Sequence, residues 1–116
     1  MSPPKIDSYQ FGQISIDGQS YTKDVIVLPD RVISNWWREQ GHSLSVVDLQ
    51  EVLTTPPQVL IIGTGANGRM RVPRKTLVPL KKANIHIIKL ESQEACLRYN
   101  EIREVSNVAL AIHLTC

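Results

Sequence analysis

Residues 59–62, VLII, form a short apolar run that passes directly into a glycine-rich segment, GTGANG, at 63–68. The run follows two prolines, and such a bounded aliphatic stretch is typical of a buried strand. Two further apolar runs, 85–90 and 108–114, have the same character, and helical patterns separate the three. Near-continuous apolar strands that alternate with helices predict an α/β fold with a largely parallel sheet covered on both faces.

The N-terminal part of the chain predicts antiparallel structure instead. Ile14 and Ile16 alternate with polar neighbours, and Asp17-Gly18 is typical of a hairpin turn before a return over 21–28. Segment 29–44 has no clean period, so we expect an irregular connection that packs its own tryptophans.

Three helices are predicted after this connection. The first covers about 45–54 and begins with a capping pair at Ser45. The third is capped by Ser92 and extends to about residue 105, with Glu94 and Arg98 paired on its outer side.

The middle helix is ambiguous because of Pro79. Pro73 suits a first helical turn, but Pro79 would then break the helix interior. Either Thr76 caps a helix in which Pro79 still lies in the first turn, or the helix is kinked; we favour the first alternative.

Bulk composition excludes several classes of protein. The 116 residues are 42% hydrophobic and 21% charged, which indicates a globular chain, and we expect one domain over 1–116. Its aliphatic runs are far shorter than the roughly 20 residues of a membrane span. Two cysteines do not make a disulfide scaffold, and the first ten residues have no presequence pattern, so we expect a cytoplasmic protein.

Charge is distributed unevenly along the chain. Residues 52–90 contain no acidic side chain, yet they carry seven basic ones: Arg69, Arg71, Arg74, Lys75, Lys81, Lys82 and Lys89. Residues 1–51 are acidic on balance. Local charge is therefore more informative than the formal net charge of +2.

Several short motifs follow one another in order along these elements. They are Phe11-Gly12-Gln13, Trp37-Arg38-Glu39 with His42, Gly63-Thr64-Gly65, Val72-Pro73, Leu80-Lys81-Lys82, Tyr99-Asn100 and His113-Leu114-Thr115-Cys116. Together they resemble the Mth-type domain, a family of small α/β domains of unknown function that includes the adipogenesis-associated protein and a mitochondrial complex I assembly factor.

The resemblance extends from about residue 9 to the end of the sequence. It implies a three-layer α/β sandwich with a mixed, largely parallel central sheet, helices on both faces and an N-terminal β-hairpin. It implies no established enzymatic activity, and family membership does not transmit function. A role must therefore be argued from a site.

The glycine segment is the first candidate site. It matches the dinucleotide-binding pattern G-x-G-x-x-G. In a dinucleotide site the helix begins at the turn itself, whereas here four residues separate the turn from Pro73, where a helix could begin. This spacing disfavours dinucleotide binding. A tight strand exit that needs glycine is one alternative. Another is a phosphate or carboxylate site, in which backbone amides and following arginines hold the anion. Its candidate residues are Gly63, Thr64, Gly65, Gly68, Arg69, Arg71 and Arg74.

Binding of nucleic acid by the same basic residues is disfavoured, because no aromatic residue lies between 63 and 90 for base stacking.

The tryptophan pair is the second candidate site. Interfaces favour Trp and Arg, so Trp36, Trp37, Arg38 and His42 are candidates for binding a protein partner or another copy of the chain. Adjacent residues of an extended segment point in opposite directions, so one tryptophan can be buried and the other presented.

The remaining residues suggest no reaction. His42, His86, His113, Cys96 and Cys116 lack metal-ligand spacing, and no catalytic set or cofactor site emerges. Cys96 lies on an apolar helix face and is predicted to be a core residue. The sequence therefore favours a non-enzymatic interaction or assembly module. The alternative is a small-molecule binder or enzyme that holds an anion at Gly63–Arg74.

Overall fold

A small antiparallel sheet opens the chain in the computed structural model, which describes residues 3–116. Asp17 and Gly18 have positive φ angles of 48° and 80°, as a tight hairpin turn requires, so the predicted hairpin is confirmed. The return strand breaks after Tyr21, and the chain then enters a second sheet. The three strands of the small sheet are β1 (Ile6–Gln10), β2 (Gln13–Ile16) and β3 (Gln19–Tyr21).

The central sheet has five strands in the order β5-β4-β8-β6-β7. These are β4 (Val25–Leu28), β5 (Arg31–Ile33), β6 (Val59–Gly63), β7 (His86–Leu90) and β8 (Val108–Ile112). The apolar strand β6 lies between β7 and β8 and is parallel to both. Strand β4 is antiparallel to β8 and to β5. The sheet is therefore mixed, with its parallel part contributed by the second half of the chain.

Apolar layers cover both faces of this sheet, which confirms the predicted three-layer arrangement. Strand β8 shows the division: Leu110 packs with helix α3 (Ser92–Ile102) and the small sheet, whereas Ala109 and Ala111 face the other layer. That other layer consists of a 3-10 helix (Val46–Leu49), α1 (Gln50–Thr54) and α2 (Arg74–Lys82). α3, the longest helix among the described residues, has 11 residues, so none is long and apolar enough to cross a membrane.

Two local predictions hold. The amide of Ser45 donates a hydrogen bond to Asp48 Oδ2 at 2.9 Å, as in a capping pair. Cys96 is buried in the core beneath α3, and burial raises the pKa of its thiol to about 12. A thiol with so high a pKa is a poor nucleophile, so Cys96 is a core residue.

The favoured reading of the middle helix is wrong. Helix α2 begins at Arg74, directly after Pro73, and Pro79 lies in its interior. Thr76 is not a cap, because its buried hydroxyl donates to the Leu44 carbonyl at 2.6 Å. Proline removes one helical hydrogen bond. The helix continues nonetheless, because Leu80, the residue after Pro79, packs into the core and stabilises the helix.

Two details of α3 also differ from the prediction. Glu91, not Ser92, is the N-cap residue, and Arg98 contacts Glu101 at 3.5 Å instead of Glu94. The Ser92 hydroxyl is unavailable for capping because it is buried between two strand ends. It accepts a hydrogen bond from the Gly65 amide at 2.9 Å and donates to the His113 carbonyl at 2.5 Å.

Candidate functional site

The glycine segment uses its backbone amides within the protein. Those of Thr64, Gly65, Ala66, Gly68, Arg69 and Met70 all donate to protein oxygens. Ala66 N–H donates to the Thr115 carbonyl at 2.6 Å, and Arg69 N–H to the Cys116 carbonyl at 3.0 Å. The concavity that an anion would need is therefore occupied by the backbone of residues 115–116.

Glycine is required here by close packing and by backbone conformation. Gly65 has a φ of 109°, and a Cβ at this position would lie 2.3 Å from the carbonyl carbon of Cys116. A Cβ on Gly63 would lie 2.8 Å from a side-chain carbon of Ile112. These contacts account for the first two glycines of the motif without a dinucleotide.

The arginines of the anion candidate are presented to solvent. Arg69, Arg71 and Arg74 are exposed, and within residues 3–116 none of them forms an ion pair. A shallow hollow of about 490 Å³ lies beside the turn and is lined by Arg71 and Lys89, among others. Glu91 also lines this hollow, so an acid lies near the basic residues after all.

The tryptophan segment divides as the sequence predicts. Trp36 is buried, with 8% of its surface exposed, and its indole N–H donates to the Asp48 carbonyl at 2.9 Å. Trp37 is 77% exposed. The structure thus separates a core tryptophan from a presented one.

The residue after this pair, Arg38, belongs to a buried polar cluster. Arg38 Nη1 donates to Asp24 Oδ2 at 2.6 Å, and Nη2 donates to the Gly41 carbonyl at 2.9 Å. The guanidinium also lies over the Trp36 ring, 4.9 Å from its centroid. Asp24 accepts from the Leu114 amide at 2.7 Å. The tryptophan segment is therefore tied to β4 and to the tail after β8.

His113 completes the cluster through one ring nitrogen. Its Nδ1 lies 2.8 Å from Asp24 Oδ2 and 3.0 Å from Arg38 Nη2. Nδ1 can donate to Asp24 when it carries a proton, and it can accept from Arg38, which only donates, when it does not. The exposed ring of His42 lies edge-on to His113, with the centroids 5.8 Å apart.

The electrostatics of the cluster favour an ionised carboxylate. Burial alone would raise the pKa of Asp24, but hydrogen bonds from His113, the Leu114 amide and Arg38 outweigh burial and lower the pKa. Two atoms remain buried without a partner among the described residues, Arg38 Nε and His113 Nε2. Leaving a buried polar group unsatisfied costs free energy, so each such atom calls for an explanation.

The cluster forms one wall of the largest cleft described, with a volume of about 710 Å³. Its lining includes Lys23, Asp24, Trp37, Arg38 and His113. Of the predicted partner-binding set, Trp36, Trp37 and Arg38 line this cleft, and His42 packs beside His113. The glycine segment lies away from the cleft lining.

Sequence reasoning missed Asp24 altogether, and it considered His113 only as part of a family motif and as a metal ligand without suitable spacing. Asp24 precedes the apolar strand β4 and His113 follows the apolar strand β8. A charged or polar residue at each strand end was the available signal, but the antiparallel pairing that joins these ends is not visible in the sequence. Within the described part of the chain, no group of three or more metal-binding side chains could hold an ion.

Comparison with known proteins agrees with this architecture. The structure resembles a conserved hypothetical protein from Pyrococcus horikoshii, PH1505, with 24% identity, a TM-score of 0.83 and coverage of 97% of this chain and 99% of that one. It resembles MT938 with 27% identity, a TM-score of 0.80 and the same coverage. A Mth938-like domain from Bordetella pertussis has 19% identity, a TM-score of 0.77 and coverage of 96% and 85%.

A family model also matches the sequence over residues 6–113. Its description is a protein of unknown function, DUF498/DUF598. The match includes the glycine segment, the tryptophan segment and all three members of the buried cluster. The chain therefore belongs to the DUF498/DUF598 family, and its likeness to the Mth-type domain is confirmed.

Proposed function

We propose that this protein is a non-enzymatic interaction module that binds a protein partner through Trp37. The observation that supports the proposal is the contrast between Trp37, which is 77% exposed, and the buried residues on either side of it, Trp36 and Arg38. Their contacts order the backbone of the segment before any partner arrives. A rigid, exposed aromatic anchor loses little entropy on binding, and binding hot spots are enriched in Trp.

A second exposed aromatic side chain lies at the same end of the molecule. Phe11 is 62% exposed in the turn between β1 and β2. The next residue, Gly12, donates its amide to the Leu114 carbonyl at 2.9 Å, and Leu114 lines the cleft beside Trp37. We therefore include Phe11 in the partner-binding surface. The expected setting is the cytoplasm, since Cys96 and Cys116 are free thiols.

The two tryptophans should respond differently to substitution. Trp37→Ala removes an exposed side chain and should change the free energy of unfolding by no more than about 0.5 kcal/mol. Trp36→Ala leaves a cavity and an unpaired carbonyl at Asp48, and should cost about 3–5 kcal/mol. Chemical denaturation measures both; equal losses for the two variants would contradict the assigned division.

Partner binding should depend on Trp37 in particular. Tagged protein expressed in its own cells should co-purify with a defined partner, and Trp37→Ala should abolish that complex while the fold persists. Val105→Ala is the matched control, because Val105 is 80% exposed and lies at the other end of β8. Val105 precedes the start of that strand, whereas Trp37 lies near the residues that follow the end of the strand. A complex that survives Trp37→Ala would refute the proposed surface.

The hollow beside the glycine turn supports a second candidate function, the binding of a small anion. Arg71 and Lys89 line this hollow and are both exposed without an ion pair among the described residues. Since the turn amides already donate within the protein, these side chains would supply the contacts. Phosphate, pyrophosphate or citrate should raise the melting temperature, and Arg71→Ala with Lys89→Ala should remove the shift. The absence of a shift across such anions would exclude this candidate.

A further inference from the structure

The helical layer on one side of the sheet is divided by charge. The 3-10 helix and α1 lie over one part of this sheet face, and α2 lies over the other part; all three bury their apolar residues in the same core. Thr76 of α2 joins the two parts through its hydrogen bond to the Leu44 carbonyl. The outer surfaces of these helices are therefore neighbouring parts of one molecular face.

The α2 part of this face carries a basic stripe. Its exposed positions are Arg74, Lys75, Val78, Lys81 and Lys82. At 3.6 residues per turn these fall within roughly 120° of the helix circumference and extend about 12 Å along it. Among the described residues none of these four cations forms an ion pair, and the stripe surrounds one half-exposed apolar side chain, Val78.

The other part carries an acidic hollow of about 250 Å³. Its acidic lining residues are Glu39, Asp48 and Glu51, and its lining includes no basic residue. Trp37 and Val47 provide exposed apolar surface in the same hollow. Arg31 lies outside the lining and contacts Glu51 at 3.3 Å, which leaves the hollow acidic on balance.

We propose that this face binds a second copy of the chain in a symmetric dimer. A twofold axis that lies in the plane of the interface, along the boundary between the two parts, places each basic stripe on the partner's acidic hollow. Both contacts then bring opposite charges together, and Val78 meets the apolar lining of the hollow. The face is complementary to itself because its two parts differ in sign.

The same charge pattern disfavours a polyanion as the occupant. A nucleic acid or an anionic membrane laid across the face would be attracted by the stripe and repelled by Glu39 and Glu51. The basic stripe itself contains no aromatic side chain for base stacking or for insertion into a membrane, and the exposed Trp37 lies among the acidic residues that repel a polyanion. A second copy presents both signs of charge in the arrangement required.

The test is a charge exchange measured by sedimentation of the purified protein. The wild-type chain should dimerise in low salt and dissociate as salt is added, because the contacts are exposed. Variant one, Arg74→Glu with Lys75→Glu, and variant two, Glu39→Lys with Glu51→Lys, should each weaken dimerisation by about tenfold or more, since like charges then meet at both symmetric contacts. An equal mixture of the two variants should restore the dimer.

Circular dichroism checks that each variant is folded. Lys5→Glu with Arg98→Glu, two exposed positions on the other side of the sheet, controls for the change in net charge. Restoration by mixing, with dimerisation of the control retained, supports the proposed arrangement. A wild-type chain that stays monomeric at low salt overturns it, as do variants that dimerise like the wild type or a mixture that fails to dimerise. Binding of nucleic acid or anionic vesicles in place of self-association also overturns it. Because Trp37 also lines the hollow, the dimer and the partner proposed above would compete for it. The mass of the purified protein alone reports only self-association, so the failure of either test leaves the other proposal standing.

Discussion

Asp24→Ala is expected to destabilise the fold by about 3–5 kcal/mol, the cost of removing one partner from a buried ion pair. The substitution leaves the Arg38 guanidinium without its 2.6 Å contact and the Leu114 amide without an acceptor. It also removes the 2.8 Å contact between Asp24 Oδ2 and His113 Nδ1. The free energy of unfolding in urea at neutral pH measures this loss; a change below about 1 kcal/mol would contradict the structural role given to the cluster.

Asp24→Asn gives the matched control, because it retains the shape and one acceptor but removes the charge. The pKa of Asp24 is lowered in the folded state, so its charge adds stability above the unfolded pKa of about 3.9. That contribution is lost as the pH falls through the lower, folded pKa. The difference in stability between wild type and Asp24→Asn should therefore be largest near neutral pH and shrink in acid. A difference that stays constant down to acid pH would show that the carboxylate charge is not responsible.

Gly65→Ala is expected to cost about 2–4 kcal/mol, which combines backbone strain with overpacking. The φ of 109° is unfavourable for alanine, and its Cβ would lie 2.3 Å from the Cys116 carbonyl carbon. Backbone must move to relieve this contact, because no flexible side chain is involved. Loss of order in residues 113–116, seen as faster amide exchange at Leu114, should accompany the loss of stability.

Gly41→Ala is the control for this substitution. A Cβ at Gly41 would meet no heavy atom within 4 Å. We therefore expect a change of no more than about 0.5 kcal/mol. If Gly65→Ala were equally mild, the tight packing of the tail against the glycine segment would be wrong.

Much of the fold could be predicted from the sequence because the strong signals are local. Aliphatic runs marked β6, β7 and β8, and Asp17-Gly18 marked the hairpin. The errors came from residues with two possible roles. Ser92 and Thr76 have good capping side chains, but the tertiary structure uses both hydroxyls to satisfy distant carbonyls. Such long-range hydrogen bonds leave no local pattern.

The candidate site was predicted only in part, for the same reason. Trp36 and Trp37 stand out as large apolar residues in a non-periodic segment, and opposite burial follows from their adjacency. Asp24 and His113 are 89 residues apart and meet only because β4 pairs with β8. The glycine motif was misleading in the opposite way: its pattern suggests a ligand, whereas close backbone packing accounts for Gly63 and Gly65.

The cluster and the exposed tryptophan form one structural unit. Arg38 is held by Asp24, Gly41 and His113, and its neighbour Trp37 is consequently presented from a fixed backbone. Buried polar contacts of this kind add little net stability, and they can instead specify one arrangement. In this protein we infer that the arrangement specified is the conformation that exposes Trp37.

The most direct test of this account is photo-crosslinking in cells with a benzoylphenylalanine residue at position 37. We expect one defined protein to be attached at position 37 and absent when the same residue is placed at position 105, which is equally exposed. Addition of Asp24→Asn should reduce the yield at position 37, because the segment loses its support. No adduct at position 37, or the same adducts at both positions, would contradict the claim that Trp37 anchors a partner.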